Sequence, residues 1–285
     1  MTVQTLSTIG ELQAAADAAR VAGKHIALVP TMGALHKGHI SLIERARSMA
    51  DVVVTSIFVN PAQFGPQEDF EKYPRDLVRD SAQAQAAGTD ILFTPDVAVM
   101  YPRGFQTYID NNRLATILEG LERPGHFRGV ATVVTKLLNA AKPHIAVFGQ
   151  KDAQQAALVR MLARDLNIDV EIVVAPIVRE PDGLALSSRN VYLSPEQRKN
   201  AVALHRSLEK AAEMVRAGER SLDVLRDTMR AVIEGGNPTK IDYIAFVHPE
   251  TFEPMSEVDP RGTLVVVTVR FGDTRLLDNE ILRNT

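Results

Sequence analysis

HIALVPTMGALHKGHISLIERARSMA, residues 25–50, reads as a strand, a glycine-bearing turn and a helix in immediate succession. His25–Val29 is a short aliphatic, β-favouring run preceded by Gly23, and from His39 onward Ile40, Ile43, Ala46 and Ala50 fall close to helical spacing. The alternation continues outward. Val52–Val59 (VVVTSIFV) predicts a buried strand, Asp76–Ala87 a helix stopped by Gly88, and Ile91–Thr94 another strand. A loop-rich stretch with Pro102, Gly104, Pro124 and Gly125 leads to a helix from about Gly129 to Ala141. A strand Ile145–Phe148, a helix from about Ala153 to Leu166 and a strand Val170–Ala175 follow. The βαβα order predicts an α/β fold: a Rossmann-like, doubly wound parallel sheet covered by helices, with ligands at the carboxyl ends of its strands.

Beyond Ala175 the texture changes. Ser194-Pro195-Glu196-Gln197 combines an N-cap serine, a first-turn proline and a glutamine three residues on, and Ala201, Leu204, Leu208, Ala211 and Val215 then mark one helical face. A second helix follows Ser221, with Leu222, Leu225, Met229 and Val232 in the same rhythm, and two strands, Tyr243–Val247 and Leu264–Phe271, are expected to finish the chain. The expected division is residues 1–177 for the Rossmann-like domain and 178–285 for a smaller C-terminal α+β lid domain. No internal repeat or low-complexity tract interrupts it.

Composition sets the limits. The 285 residues, 45% hydrophobic and 24% charged, suffice for a full core, and the absence of cysteine excludes disulfides and thiolate metal sites. The N-terminus lacks the basic start and apolar core of a secretory signal, and no stretch reaches the ~20 apolar residues of a membrane span, so a cytoplasmic protein without membrane attachment is expected. A formal charge of −3 with interspersed signs gives no basic stripe and argues against nucleic acid as partner. A nucleotide needs only a local cationic site.

Four polar segments supply candidates for such a site. In the turn Pro30–His39, a helix start offers backbone N–H groups and a positive dipole end to a phosphate, with Gly33 and Gly38 permitting close approach. His36 and His39 share one face if the first turn is helical, and Lys37 points elsewhere. The same pair also fits two solvated surface histidines, or a zinc pair that lacks a third ligand at suitable spacing. In Phe148–Gln155 (FGQKDAQQ), Lys151 suits phosphates, and Asp152 suits a ribose, a metal-bound water, Lys151 itself or an ordinary helix cap. Leu186–Asn190 (LSSRN) sets two hydroxyls beside Arg189, fit for a triphosphate or for a plain polar loop. Asn60 and Gln63 in NPAQF are neutral amides suited to hydroxyl or carboxyl groups, or to decorating a proline turn.

Taken in order, PTMGALHKGH, SIFVNPAQF, YPRD, PGHFRGVATVVTKLLN, FGQKDAQQ, VREPDGLALSSRNVYLS and TRLLDN resemble the motif series of the pantothenate synthetases. These pantoate–β-alanine ligases, AMP-forming, belong to the H-x-G-H nucleotidyltransferase superfamily. The likeness runs from about residue 25 to 280. It implies an enzyme that adenylates the carboxylate of pantoate with ATP and then transfers the pantoyl group to β-alanine, forming a C–N bond. By motif, ATP would be bound by Met32, Gly33, Ala34, Leu35, His36, Lys37, Gly38 and His39, by Gly149, Gln150, Lys151 and Asp152, and by Val178, Leu186, Ser187, Ser188 and Arg189. Gln63 and Gln155 would hold pantoate, with Gln63 also near β-alanine, and His39 would be the acid catalyst and candidate proton relay, aided by His36, Lys151 and Arg189.

The resemblance further implies Mg²⁺ held by the ATP phosphates, and a homodimer. Two departures stand out. Leu186 occupies a position where family members commonly carry methionine, and Arg79 precedes Asp80 where several carry two adjacent acids, which puts a role for Asp80 near magnesium in question. A nucleotidyltransferase acting on another small acceptor would share PTMGALHKGH without needing Gln63 and Gln155. A non-catalytic nucleotide-binding protein would have no need of His39, Lys151, Ser187, Ser188 and Arg189 together.

Overall fold

In the computed structural model, which describes residues 3–66 and 68–284, the chain divides into two units. The first takes the residues through Gly149 together with Gln154–Ala175; the second takes Gln150–Ala153 and everything from Pro176 onward. A sequence boundary at residue 177 assigns Gln150–Ala153 to the first domain, whereas their contacts place them in the second unit.

The first unit runs β1 (Gln4–Leu6), α1 (Ile9–Val21), β2 (Ile26–Thr31), α2 (Lys37–Arg47), β3 (Val52–Ile57), α3 (Leu77–Ala86), β4 (Ile91–Phe93), the single-turn α4 (Val97–Met100) and α5 (Glu119–Glu122), α6 (His126–Ala141), β5 (Ile145–Gly149), α7 (Ala153–Asp165) and β6 (Glu171–Ala175). Its sheet has the order β1-β4-β3-β2-β5-β6, and all of its pairs are parallel. Strand β2 lies between β3 (Ile26↔Val52 to Thr31↔Ile57) and β5 (Ala27↔Ile145). The chain builds outward from β2 through β3 and β4, then returns to add β5 and β6 on the other side. The order therefore reverses between β2 and β5, where the carboxyl ends of parallel strands leave a crevice for ligands. Ala27, Val29, Val53, Leu92 and Val147 pack with Ile43 and Ala46 of α2. Burial on both faces is why these strands read as continuous apolar runs rather than alternating ones.

Several boundaries differ from expectation, each for a local reason. Helix α6 starts at His126, three residues earlier than its apolar rhythm suggests, because Gly125 takes a left-handed conformation (φ 84) and turns the chain into it. Strand β3 stops at Ile57, and Asn60 then caps a short turn over Pro61–Gln63. The unanticipated β1 has three residues, and α1 buries only Leu12 and Ala16, so neither carries a strong pattern. Thr8 and Glu11 do form a capping box at the start of α1, a signal present in the sequence.

The second unit contains α8 (Pro195–Asn200), α9 (Ala203–Arg216), α10 (Leu222–Glu234), β7 (Lys240–Val247), β8 (Thr263–Phe271) and β9 (Thr274–Leu282). Its strands form an antiparallel sheet β7-β8-β9. Leu204, Leu208, Ala211 and Val215 of α9 and Leu225, Met229 and Ile233 of α10 pack on Val265, Val267 and Val269 of β8. The expected cap is present: the Ser194 hydroxyl accepts the N–H of Gln197, whose Oε1 accepts the N–H of Ser194. Strand β9 escapes the sequence pattern because it buries Asp278 and Asn279, two residues that hydropathy assigns to solvent. No described helix is long and apolar enough to cross a membrane.

Candidate active site

The turn after β2 is held from within the first unit. Gly33 and Ala34 adopt left-handed backbone angles (φ 83 and 51), and the turn's N–H groups point inward. Gly33 N donates to Thr31 Oγ1 at 3.2 Å, Ala34 N to Asp80 Oδ2 at 2.7 Å and Leu35 N to Asp80 Oδ1 at 2.8 Å. The expectation that these amides wait for a phosphate is therefore corrected: a buried carboxylate in the first turn of α3 already occupies two of them. Both oxygens of Asp80 serve the main chain. A Cβ on Gly33 would lie 2.9 Å from Asp80 Oδ2, which is why the motif has glycine there.

His36 and His39 do share a face, with ring centroids 4.1 Å apart and planes tilted by 37°. Each also caps the helix that carries it. Nδ1 of His36 accepts Gly38 N at 3.1 Å, and Nδ1 of His39 accepts His36 N at 3.4 Å. An imidazole whose Nδ1 accepts an amide proton carries its own proton on Nε2. The pair thus presents two neutral Nε2–H donors at the start of α2, while Lys37 between them is exposed. A zinc pair gains no support, since no described group of three His, Asp or Glu is placed to share a metal.

Beside this turn, Gln63 is buried, with its Oε1 accepting from Asn60 Nδ2 at 3.0 Å and its Nε2 3.0 Å from the sulfur of Met32. Two of the expected site segments are thereby joined directly. Asn60 itself is saturated: it also donates to the Gly129 carbonyl and accepts from Ala62 N and the Tyr101 hydroxyl. The two amides of NPAQF thus divide their work, Asn60 shaping the turn and Gln63 standing at its end. Gly129 of α6 packs so close that a Cβ would overlap the Ala62 carbonyl and Gln63 N. Gly129→Ala should cost ~2 kcal/mol in denaturant unfolding and displace Gln63; unchanged stability would show that the backbone there yields freely.

The main chain of Gln63 has its own support. Its carbonyl accepts from His126 Nδ1 at 2.9 Å; His126 Nε2 lies 3.1 Å from Arg123 Nη1, and Arg123 grips Glu68 through two bonds of 2.7 and 2.8 Å. A carbonyl only accepts and a guanidinium only donates, so His126 is fixed as the neutral Nδ1–H tautomer. Burial, and next the Arg123 charge, push its pKa down to about 4 from 6.5, partly countered by the Gln63 carbonyl, Glu68 and Glu119. The unfolded chain then binds this proton before the folded one does. Stability from His126 is complete above pH ~6.5 and is lost as pH falls towards 4, by ~3 kcal/mol in all. Thermal unfolding of His126→Asn should show a flatter slope over that window than the parent; parallel curves would exclude His126 as the source.

Gln155 is half-buried on α7. Its neighbour Gln154 is structural, bound to the Leu114 and Ile117 carbonyls and to Glu119 N. In the second unit, Gln150–Asp152 form a tight turn in which Lys151 Nζ stands 4.0 Å from Asp152 Oδ1. Val178–Leu186 folds back on itself, with Leu186 N donating to the Val178 carbonyl and Glu180 N to that of Leu184. Gly183 is required at this bend, because a side chain would strike His205. Leu186, Ser187, Ser188 and Arg189 follow half-buried, and the Ser187 hydroxyl accepts Arg189 N to cap the short turn Ser188–Tyr192. Sequence reasoning assigned no role to Arg123, His126 or Glu68, and left Asp80 in question. Of these only His126 falls in a quoted motif, PGHFRGV, where a polar residue stands without a reason visible in one dimension; Glu68, Asp80 and Arg123 lie outside the motifs.

An H-x-G-H turn at the reversal point of a parallel sheet defines a nucleotide-handling α/β protein. Within that class the chain belongs to the pantoate-beta-alanine ligase family, whose model it matches over residues 4–281. It is 53% identical to the pantothenate synthetase of Chloroflexus aggregans over 280 residues, 98% of this chain and 100% of that one. The crystal structure of pantothenate synthetase from Thermus thermophilus superimposes with a TM-score of 0.93 at 46% identity, covering 99% of this chain and 100% of that one. The pantoate-beta-alanine ligase of Francisella tularensis, solved in complex with beta-gamma ATP and beta-alanine, gives 0.80 at 34% identity, covering 98% and 97%.

Proposed function

We propose that this chain condenses pantoate with β-alanine to pantothenate through a pantoyl adenylate, releasing AMP and pyrophosphate. Family membership over residues 4–281 carries the reading, and a relative solved with beta-gamma ATP and beta-alanine supports it. In the first step a pantoate carboxylate oxygen attacks the α-phosphorus of ATP, the bond from that phosphorus to the bridging oxygen breaks, and pyrophosphate leaves. A carboxylate of pKa ~4 is already ionised at neutral pH, so this step needs charge neutralisation rather than a base. The Nε2–H groups of His36 and His39 are the neutral donors for it, and Lys151 and Arg189 the cations, with Met32–His39, Gly149–Asp152, Val178 and Leu186–Ser188 completing the ATP contacts.

Gln63 and Gln155 are assigned to pantoate, and Gln63 also to β-alanine. The Gln63 amide is suited to this, because the Met32 thioether is a weak acceptor that a substrate oxygen replaces to advantage. In the second step the neutral amine of β-alanine attacks the acyl carbon, AMP departs, and the nitrogen releases one proton as the amide forms. His39 is poorly set to take that proton, because Nε2 already bears one and Nδ1 faces an amide N–H. The phosphate of departing AMP or a water is the better acceptor, which narrows His39 to donation.

Mg²⁺ belongs to this reading as the companion of the triphosphate, whose charge it neutralises. Asp80 is given a different part in it, since each of its oxygens accepts a backbone proton of the turn. A cytoplasmic homodimer is part of the same proposal, to be checked by sedimentation of the purified protein. The deciding assay mixes protein with ATP, Mg²⁺ and pantoate and follows pyrophosphate, then AMP on addition of β-alanine. Pyrophosphate release that ignores pantoate would favour a transferase with another acceptor, and no release at all would favour a non-catalytic nucleotide binder.

A further inference from the structure

The motif TRLLDN has no part in the mechanism above, yet two of its side chains are almost wholly buried on β9. Asn279 Nδ2 donates to the carbonyls of Gln150 at 3.0 Å and Lys151 at 2.9 Å, while its Oδ1 accepts from Gln150 Nε2 at 2.9 Å. Asp278 binds Arg179 through two bonds of 2.6 and 3.0 Å, and Arg179 also donates to the Gly183 carbonyl and bridges to Ala185. Successive residues of a strand point to opposite faces. One dipeptide therefore grips the Lys151 turn on one side and the Val178–Leu186 hairpin on the other.

We infer that Asn279 is a positioning residue for Lys151, and that with Asp278 it sets the lysine and the Ser187–Arg189 loop in one frame. The inference rests on the reading of Lys151 and Arg189 as ATP contacts. The turn Gln150–Asp152 is three residues long and makes these bonds with β9 inside the second unit. Only a side chain with two donors and an acceptor in one plane satisfies all three partners: aspartate lacks the donors and serine lacks the reach. With the Lys151 carbonyl released, the main chain can rotate, and the four-carbon stem of the lysine multiplies that rotation at its ammonium group.

A double-mutant cycle on pantoate-dependent pyrophosphate release tests this. Lys151→Ala should lower kcat/KM for ATP by about 100-fold or more, and Asn279→Ala by roughly 10- to 50-fold, with KM for pantoate changed less than about 2-fold. In the Lys151→Ala background, Asn279→Ala should cost less than about 2-fold further. Asn279→Ser serves as the second variant if alanine folds poorly. Full rates in Lys151→Ala would overturn the ATP reading of the lysine and the inference with it. An impaired Lys151→Ala on which the Asn279 loss multiplies in full would overturn the inference alone, leaving Asn279 as a fold-stabilising residue.

Discussion

Asp80→Ala is expected to lose ~3 kcal/mol of stability and to cut turnover by 10²- to 10³-fold, on the order expected from lost charged hydrogen bonds and a displaced reacting group. The carboxylate accepts Ala34 N and Leu35 N while those residues lead from a left-handed turn into α2. Ala34 has no intrinsic reason to sit at φ 51, and the two bonds hold it there. Without them the turn relaxes, and the histidines that follow it shift with the start of the helix. Asp80→Asn separates the two effects. It keeps one acceptor oxygen but turns an NH₂ group against the other amide, so it should fall between the parent and alanine in both unfolding and turnover. If Asp80→Ala retained kcat/KM within about 2-fold, the carboxylate would be a stability element without influence on chemistry.

Three substitutions at His39 should divide its two nitrogens. His39→Asn places an oxygen near the position of Nδ1, so it preserves the bond from His36 N and loses the outer donor. It should melt within about 2 °C of the parent while kcat falls by roughly 10²- to 10³-fold, the range for removal of one transition-state donor. His39→Gln restores a donor near the position of Nε2 and loses the cap; ~1 kcal/mol less stable, it should recover part of the turnover lost in asparagine. His39→Ala loses both. Equal activity in the asparagine variant and the parent would remove Nε2 from the mechanism, and a large stability loss with asparagine would show that the ring matters for packing.

How much of this was legible in one dimension depends on which residues carried a period or a pairing. The parallel core strands were readable because Val52–Val54 and Ile145–Phe148 are continuous apolar runs, and α9 and α10 because Leu204, Leu208, Leu225 and Met229 keep helical spacing. Strand β9 was not readable, since Asp278 and Asn279 are buried by partners more than ninety residues distant in sequence. The histidine turn was found as a motif. Its internal wiring was not, because the bond from Ala34 N to Asp80 spans 46 residues and no local rule links them. Gln63 was singled out as an amide after a strand, and the structure places it buried between Asn60 and Met32. Of the pair that supports its carbonyl, His126 belonged to a motif whose polar content had no local explanation, and Arg123 lay just before that motif.

The allocation of Gln150–Ala153 to the second unit has a covalent consequence. The backbone crosses from one unit to the other three times, at Gly149–Gln150, Ala153–Gln154 and Ala175–Pro176. No single proteolytic cut divides such a chain into two self-sufficient halves. A fragment ending at Ala175 keeps Lys151 in its sequence but loses Asn279, and a fragment beginning at Pro176 keeps Asn279 with nothing to hold. Complementation from fragments, circular permutation and grafting of the C-terminal unit onto another scaffold all meet the same obstacle: a four-residue insertion on loan from the other half.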